Sequence, residues 1–320
     1  MKKETIWQKY YFLSFLKVQI KRVMIRFFKK DVSFVPNKIK QRQKSLDDTQ
    51  EYIRQIIING KPALISRFGS NEAHCTADGI GIMYGKKKNF SSKILNRIHL
   101  NAGVFPYGES MALRFSEISA DAAVQVDLLG WWSSYMQDYL ALEVCKKDVV
   151  LSKLGYLEPY YSDKPWSAEL KGKKVLVIHP FKASIEQQYQ KRELLFRNPD
   201  VLPEFELIVV QAVQTIAGQK DDRFETWEDA LDYMYDEAMK QDFEIAIIGC
   251  GAYGMPLAAK LKQAGKIAIH LGGATQLLFG IKGSRWDNNL GKKLYNEHWV
   301  RPMDCEVPEA SRKVENGCYW

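Results

Sequence analysis

Residues 245–286 read IAIIGCGAYGMPLAAKLKQAGKIAIHLGGATQLLFGIKGSRW, and this stretch decides the fold class of the chain. A short apolar run, Ile245–Ile248, meets a glycine-rich turn, and a helical stretch follows as far as Lys262. Gly265 ends that helix, and a second apolar run, Ile267–Ile269, begins. Strand, helix and strand in this order predict a βαβ unit.

The turn after the first strand contains Gly249, Gly251 and Gly254, which have the spacing G-x-G-x-x-G. Bare backbone N–H groups at the start of a helix bind anions, most often phosphate. A dinucleotide site also needs an acidic residue about 20 positions further on for the ribose hydroxyls, but residues 270–286 contain no Asp or Glu. We therefore exclude NAD and FAD enzymes as the first choice. Glycines that only let a helix pack closely on a strand remain the alternative.

A second glycine pair, Gly272 and Gly273, follows the next strand. Glycine-rich loops at two successive strand ends line one crevice, and this crevice is where open α/β sheets bind their ligands. The pair therefore favours a phosphate-containing ligand over simple packing.

The same alternation of strands and helices runs through the second half of the chain. Strands are predicted at Lys174–Ile178 and Phe205–Val210, with helices over 184–197, where Ser184 would cap the N-terminus, and over Thr226–Lys240. This order predicts an α/β fold, a Rossmann-like parallel sheet with helices on both faces.

The first half is predicted to be richer in helix. Helices are expected over Leu46–Asn59, closed by Gly60, and over 86–100 and 111–145, with one strand at Ala63–Ser66.

The composition excludes several classes of protein. The chain has 320 residues, enough for one large domain or two moderate ones. Its cysteines are odd in number, scattered, and without a CxxC pair, which argues against a disulfide framework and a structural zinc site and indicates a reducing cytoplasm. They are Cys75, Cys145, Cys250, Cys305 and Cys318.

The formal net charge of +8 lies in one segment, because residues 1–30 contain nine basic residues and one acid while the remainder balances. The longest uncharged stretch there, Tyr10–Leu16, is too short to span a bilayer, and no signal-peptide cleavage site is present. A basic amphipathic helix rich in aromatic residues is typical of a membrane interface with anionic lipid. A helix packed on the body is the alternative, and nucleic-acid binding is a weaker one. The balanced remainder of the chain predicts no nucleic-acid partner.

Polar turns follow four predicted strands, which in a parallel sheet end at one edge. Arg67 could clamp a phosphate or form a surface ion pair. Glu72 could bind a metal or polarise a hydroxyl, or simply occupy the first turn of a helix. His179 and His270 each follow an apolar strand, where each could hydrogen-bond a sugar or phosphate or serve only in packing. Glu186 lies on the helix that follows His179.

The block ISRFGSNE, Ile65–Glu72, resembles the pattern R-[FY]-G-D-G-E of the GT-D fold glycosyltransferases. That family was first catalogued as a domain of unknown function in bacterial glycan-assembly systems. The blocks HPFKASIEQQYQKR, QAVQTIAG and GAYGMPLAAKLKQAGKIAIHLGGATQLLFGIKGSRW are similar to a group of polysaccharide-cluster proteins. Together the blocks fall within residues 50–290.

In that family an Asp-x-Glu in this turn is associated with the metal and the sugar nucleotide. By position Glu72 matches the glutamate, while Ser70 stands where the family has the aspartate. A hydroxyl is a poorer ligand than a carboxylate for Mn²⁺ or Mg²⁺, the cofactors that the resemblance implies. Either a second carboxylate, such as Glu186, replaces the aspartate, or Arg and Lys neutralise the diphosphate.

The resemblance and the turn positions together assign the site residues. Catalytic roles are assigned to Glu72, His179 and Glu186, and metal binding to Glu72. Residues expected to bind a nucleoside diphosphate sugar are Arg67, Gly69, Ser70, Gly249, Gly251, Tyr253, Gly254, His270, Gly272, Gly273, Gln276 and Arg285.

The reading that follows is a bacterial glycosyltransferase with a nucleoside diphosphate sugar as donor and a growing cell-surface glycan or lipid-linked molecule as acceptor. Residues 1–45 would form a membrane-surface helix and linker at the inner face of the cell membrane. Residues 46–320 would form the catalytic domain, with halves 46–170 and 171–290 and a tail, 291–320. The alternatives are another transferase of polysaccharide assembly, for pyruvyl or phospho groups, or a non-catalytic membrane-docked scaffold with a decayed nucleotide site.

Overall fold

The computed structural model describes residues 11–20, 23–24, 35–219, 221–311 and 317–320. The strands in these residues are β1 (Gln43–Lys44), β2 (Ala63–Arg67), β3 (Leu128–Trp131), β4 (Val150–Lys153), β5 (Lys174–His179), β6 (Glu206–Gln211), β7 (Ile245–Ile248) and β8 (Ile267–His270). Within the described chain these eight strands form one sheet in the order β1-β4-β3-β2-β8-β7-β5-β6, and every pairing is parallel. The predicted α/β class with a Rossmann-like parallel sheet is confirmed.

Helices cover both faces of this sheet. They are α1 (Asn37–Arg42), α2 (Leu46–Asn59), α3 (Ser70–Met83), α4 (Ser92–Leu100), α5 (Glu109–Val124), α6 (Gln137–Tyr139), α7 (Lys182–Tyr189), α8 (Arg192–Leu195), α9 (Trp227–Met239), α10 (Gly254–Gln263), α11 (Ala274–Leu278) and α12 (Gly291–Leu294). Successive strand residues such as Leu64 and Ile65 point to opposite sides. They enter two separate cores, one packed against α3, α5, α9 and α10 and the other against α2, α7 and α11.

The predicted helix ends match local capping chemistry. The Thr226 hydroxyl accepts the Asp229 N–H at 3.2 Å, and the Asp229 carboxylate accepts the Thr226 N–H at 2.8 Å, which fixes the start of α9. Gly60, with φ of 64°, closes α2. The left-handed conformation at this position favours glycine. The Gly60 N–H donates to two backbone carbonyls of the last turn, those of Ile56 and Ile57.

Residues 111–145 are mostly helical, as predicted, but they are not one helix, because α5 ends at Val124 and the unpredicted strand β3 follows inside that range. Leu-Leu-Gly-Trp has no strong strand preference of its own. All four residues are buried between β2 and β4, and this burial outweighs intrinsic propensity. A Cβ on Gly130 would lie 2.5 Å from Leu157 Cδ1, so this glycine permits close packing over the strand.

The helix predicted over 184–197 is shorter and interrupted, and Ser184 does not cap it. The first segment, α7, begins at Lys182, and α8 follows as a separate turn. The Ser184 hydroxyl donates to the buried Glu306 carboxylate instead, a contact between residues 122 positions apart. Helix α3 and strands β1 and β4 were not predicted, and α4 begins at Ser92 rather than at residue 86.

The N-terminal region is only partly described. Residues 11–20 and 23–24 are helical, and the rest of residues 1–30 lies outside the described chain. Part of the predicted linker, residues 37–44, forms α1 and β1, and Ile39 is fully buried. No helix in the described residues is both long and apolar enough to cross a bilayer.

Candidate functional site

A cavity of about 380 Å³ opens at the carboxyl edge of the sheet, between the turns that follow β2, β5, β7 and β8. Its size suits a small ligand or part of a nucleotide. Most residues that the sequence assigned to binding or catalysis line it, namely Arg67, Gly69, Ser70, Glu72, His179, Gly249, Gly251, Tyr253, His270, Gly272, Gly273, Gln276 and Arg285. The structure thus brings together four turns that are far apart in the sequence. The individual roles of these residues remain predictions.

Arg67 is the last residue of β2, and its side chain is partly buried against Gly272. A Cβ on Gly272 would lie 3.5 Å from the Cδ and Nη1 atoms of Arg67. In the part of the chain that the structure describes, its buried Nε has no hydrogen-bond acceptor, and no carboxylate lies within ion-pair distance of the guanidinium. Glu158 is close enough only to interact electrostatically. A partly buried cation without an acceptor is costly, so an anionic ligand in the cavity would stabilise Arg67.

Three helices of eight or more residues begin at this cavity. They are α3 after Gly69, α7 after Phe181, and α10 after the short turn Gly251–Tyr253. Each N-terminus carries a partial positive charge from the aligned peptide dipoles. The three ends therefore add to the charge of Arg67 and make the cavity favourable for anions.

The three glycines of the β7–α10 turn have different environments. A Cβ on Gly249 would lie 2.6 Å from His179 Cδ2, and one on Gly254 would lie 2.2 Å from His270 Nε2. These two glycines therefore permit close packing, and Gly254 does not line the cavity. Gly251 has a φ of 60° and open space at its Cβ position, so its backbone is accessible from the cavity.

The two strand-end histidines are neutral, because burial lowers the pKa of each to about 3. Nδ1 of His179 accepts the Phe181 N–H at 3.0 Å, so its proton is on Nε2 and the ring is a hydrogen-bond donor. Nδ1 of His270 contacts the Ser66 hydroxyl at 2.9 Å. Nδ1 of His179 is thus occupied by a backbone donor, while the Ser66 contact is compatible with either tautomer of His270; the catalytic role of His179 stays a prediction.

Glu72 is the one acidic residue among the described residues that line the cavity. A Cβ on Gly69 would lie 1.9 Å from its Oε2 atom, so the carboxylate folds over Gly69 at the first turn of α3. This position is favourable for a negative charge because it is next to the helix N-terminus. Gly69 is therefore required for the placement of Glu72.

Glu186 is not brought to the cavity. It is half exposed on α7, and its carboxylate lies 3.8 Å from the Lys182 ammonium. The inward positions of α7 are taken by Ile185, Gln188 and Tyr189, which places Glu186 on the outer side of the helix. The expectation that this carboxylate replaces the missing aspartate is therefore wrong.

The residues at the cavity do not fit a protein-held divalent cation. The described chain contains no group of three or more His, Cys, Asp or Glu side chains that could hold one. At the family's metal position the cavity offers Glu72 and the neutral hydroxyl of Ser70, and Glu186 is elsewhere. One carboxylate is too few to hold a hard cation by protein ligands alone; in nucleotide sites the phosphate oxygens of the substrate and water supply the remaining ligands.

The chain's last residues also line the cavity, which the sequence did not indicate. The Cys318 carbonyl accepts the Arg285 N–H at 3.0 Å, and the Tyr319 carbonyl accepts Nε2 of Gln276 at 3.1 Å. The Arg285 guanidinium lies 4.7 Å from the centre of the Tyr319 ring. Gln276 therefore holds this segment in place, and Arg285 with Tyr319 forms a cationic and aromatic rim.

Other wall residues were not assigned individually, although more than half of them lie in the strand-end turns where the sequence predicted chemistry. They are Asn71, Asn101, Ala102, Trp132, Pro180, Phe181, Val213, Gln214, Thr215, Ile216, Cys250 and Trp320. The Tyr253 hydroxyl contacts the Thr215 hydroxyl at 3.0 Å, and its ring stacks on Trp227 with the centres 4.9 Å apart. Tyr253 is therefore mainly a structural part of the wall.

Two solved structures resemble this chain. One is described as the selenomethionine-substituted structure of domain of unknown function 1792; it is 12% identical, with a TM-score of 0.42, over 84% of this chain and 98% of that one. The other is described by the words "the highly conserved domain of unknown function 1792 has a distinct glycosyltransferase fold"; it is 13% identical, with a TM-score of 0.38, over 71% of this chain and 82% of that one. No family model and no curated protein matches the chain. The glycosyltransferase fold named in the second description is also the fold of the family that the sequence blocks resemble.

Proposed function

We propose that this protein is a glycosyltransferase that moves a sugar from a nucleoside diphosphate donor to an acceptor hydroxyl of a growing glycan or lipid-linked molecule. The observation that carries the proposal is Arg67. Its side chain lines the cavity, its buried Nε has no hydrogen-bond acceptor among the described residues, and the accessible turn at Gly251 lines the same cavity. Both features suit a diphosphate.

Sugar transfer breaks the bond between the anomeric carbon and the diphosphate oxygen, so negative charge grows on the leaving diphosphate. Arg67 and the backbone amides of the turn at Gly251 are in place before the reaction, and they stabilise that charge without reorganisation. Arg285 at the rim supplies a second cation, and the Tyr319 ring beside it offers a flat surface for a base or a sugar.

The acceptor hydroxyl loses a proton as it attacks the anomeric carbon. Glu72 is the carboxylate available in the described wall of the cavity, and we assign it the role of general base. His179 presents its Nε2–H as a donor to a sugar or phosphate oxygen, since its Nδ1 accepts the Phe181 N–H.

The proposed transfer does not use the metal that the family resemblance implies. The sequence left two ways to neutralise the diphosphate, a replacement carboxylate or basic side chains. With Glu186 outside the cavity, we propose the second, with Arg67 and Arg285 as the cations. A cytoplasmic setting is consistent with the five cysteines, all of which are free thiols.

The test is a panel of UDP- and GDP-sugars, measured by thermal shift and by donor hydrolysis, with Mn²⁺ and with EDTA. We expect at least one donor to raise the melting temperature, because it binds only the folded protein, and EDTA to change this shift little. Stabilisation only by phosphorylated compounds without a base would indicate a pyruvyl- or phospho-transferase. Neither binding nor hydrolysis of any donor would contradict the proposal.

A further inference from the structure

The N-terminal helical segment, described at residues 11–20 and 23–24, presents apolar side chains on two sides. On one side Tyr11 and Ser14 are buried against the body of the protein. The outer side carries large apolar side chains that are exposed to solvent, at the spacing of one helical face. These are Phe12, Leu13, Leu16, Ile20 and Val23.

The inner side packs at one defined position, the contact of Tyr11 with Gly81 and Tyr139, here called the Tyr11 seat. A Cβ on Gly81 would lie 2.2 Å from the Tyr11 hydroxyl oxygen, so only glycine at this position of α3 leaves room for the ring. Tyr11 also meets the Tyr139 ring edge-to-face, with the centres 5.3 Å apart. The helix is therefore packed on the body and still exposes a second apolar row. The packed helix, one of the alternatives that the sequence left open, is thus observed, and its outer apolar row is exposed.

Exposed basic side chains lie on this helix and near its Tyr11 end. Lys17 is exposed on the helix. The backbone N–H groups of Lys86 and Lys87 both donate to the Gly81 carbonyl, at 2.7 and 2.9 Å, which places the 86–88 tract at the Tyr11 seat. Lys87 pairs with the buried Asp78, whereas Lys86 and Lys88 are exposed.

We propose that this docking surface, defined as Phe12, Leu13, Leu16, Lys17, Ile20 and Val23 together with Lys86 and Lys88, binds a bilayer that contains anionic lipid. An exposed apolar row flanked by lysines matches the interface of such a bilayer, where the rings and alkyl chains enter the acyl boundary and the ammonium groups meet phosphate. Residues 1–30 carry the whole net charge of the chain, which adds to this attraction. The surface does not depend on the proposed sugar transfer.

The surface and the cavity lie at opposite ends of α3. Gly69 lies at the cavity and Gly81 at the Tyr11 seat, and these twelve residues of helix correspond to about 18 Å at 1.5 Å per residue. Docking through the helix therefore leaves the cavity clear of the lipid.

The experiment is co-sedimentation of the full chain with vesicles of phosphatidylcholine, alone or mixed two-to-one with phosphatidylglycerol. We expect binding to the mixed vesicles only. Leu13→Ser with Leu16→Ser should lower the partition coefficient about tenfold or more, because apolar surface is lost from the interface. The matched control is Ile58→Ser with Leu194→Ser. These residues are 54% and 51% exposed, compared with 52% and 44% for Leu13 and Leu16, and they belong to helices on the other face of the sheet.

A second pair of variants tests the charges without touching the helix. Lys86→Glu with Lys88→Glu should also weaken binding, by about 25-fold or more, since each lysine near an anionic surface contributes roughly a factor of five and each glutamate adds repulsion. Lys171→Glu with Lys191→Glu, exposed lysines elsewhere in the chain, should leave binding unchanged. Equal binding to both kinds of vesicle, or no effect of either test pair, overturns the proposal. So does a dimer, seen by light scattering, that the Leu13 and Leu16 changes disperse, because the occupant would then be a second copy of the chain.

Discussion

Two strand-to-helix turns at the cavity edge present anion-binding groups in different ways. The β2–α3 turn presents a side chain, the guanidinium of Arg67, which has no hydrogen-bond acceptor among the described residues. The β7–α10 turn presents backbone, at Gly251, whose Cβ position is open space. The first turn has a full positive charge and the second has the partial charges of peptide groups.

The comparison shows how little a glycine pattern says about the role of each glycine. Gly249 and Gly254 are explained by the rings of His179 and His270, which occupy the space that a Cβ would need. Only Gly251 in that turn is left for a ligand. A charged side chain at a strand end was the more direct indicator, because a partly buried cation requires an acceptor.

The largest effect is expected from removing the side chain of the first turn. Arg67→Ala should weaken binding of UDP or GDP about 100-fold, because a pair of charge-assisted hydrogen bonds is lost. The nucleotide affinity of Arg67→Lys should lie between those of Arg67→Ala and the native protein, since lysine keeps the charge but not the forked geometry. Isothermal titration calorimetry measures the nucleotide affinity of both variants.

The matched control for Arg67 is Arg54→Ala. The Arg54 guanidinium already donates to Glu169 at 2.7 Å, so its loss should leave nucleotide binding unchanged. If Arg67→Ala binds nucleotide as tightly as the native protein does, the diphosphate is held elsewhere and the proposed function loses its main support.

A smaller effect is expected from the backbone turn. Gly251→Ala adds a methyl group at the cavity and strains a backbone with φ of 60°, at a cost of about 1 kcal/mol, and nucleotide affinity should fall about tenfold. Gly265→Ala is the control, because Gly265 has a φ of 88° and open space but lies at the far end of α10. Both variants should melt earlier, and only Gly251→Ala should bind more weakly. Equal affinities would show that the β7–α10 turn does not face the ligand.

The smallest effect on nucleotide binding is expected from Glu158, the carboxylate that interacts electrostatically with Arg67. Burial raises the pKa of Glu158 to about 7, against the opposing effects of the Tyr160 hydroxyl and of Arg67. The folded pKa is above the unfolded one, so the native protein loses stability as pH rises from about 4.5 through 7, by at most about 3 kcal/mol. Glu158→Gln does not ionise, so its advantage in melting temperature should grow between pH 5 and pH 8.

Glu158→Gln should also bind nucleotide more tightly than the native protein at pH 8, because no carboxylate then offsets the charge of Arg67. At pH 5 the two affinities should be equal. A melting difference that stays constant with pH would mean that Glu158 does not titrate in this range.

The sequence predicted the second half of the fold better than the first. Strands β5 to β8 are short β-branched or apolar runs between turn residues, and α9 carries its own capping box. Strand β3 contains Leu, Gly and Trp, and it is a strand because β2 and β4 bury it. Helix propensity is a weak signal wherever tertiary burial decides the conformation.

Site residues at strand ends were predictable from the sequence, whereas site residues from segments distant in the chain were missed. Arg67 and His179 are the last residues of β2 and β5, and Glu72 lies in the first turn of the helix after β2, so the parallel topology alone brings them together. Glu186 was misplaced because its direction depends on which side of α7 packs inward. Tyr319 and Trp320 reach the cavity through contacts with Gln276 and Ser284, and no local pattern encodes such contacts.

The amino-acid sequence by itself determined the parallel α/β class, the cavity edge and the concentration of charge in residues 1–30, because each follows from local periodicity or from counting. Only the tertiary structure decided which glycine faces the cavity, which nitrogen of His179 carries its proton, and that the N-terminal helix is both packed and exposed. These properties depend on distances between residues far apart in the chain. A one-dimensional pattern does not contain those distances until the hydrophobic core has formed around them.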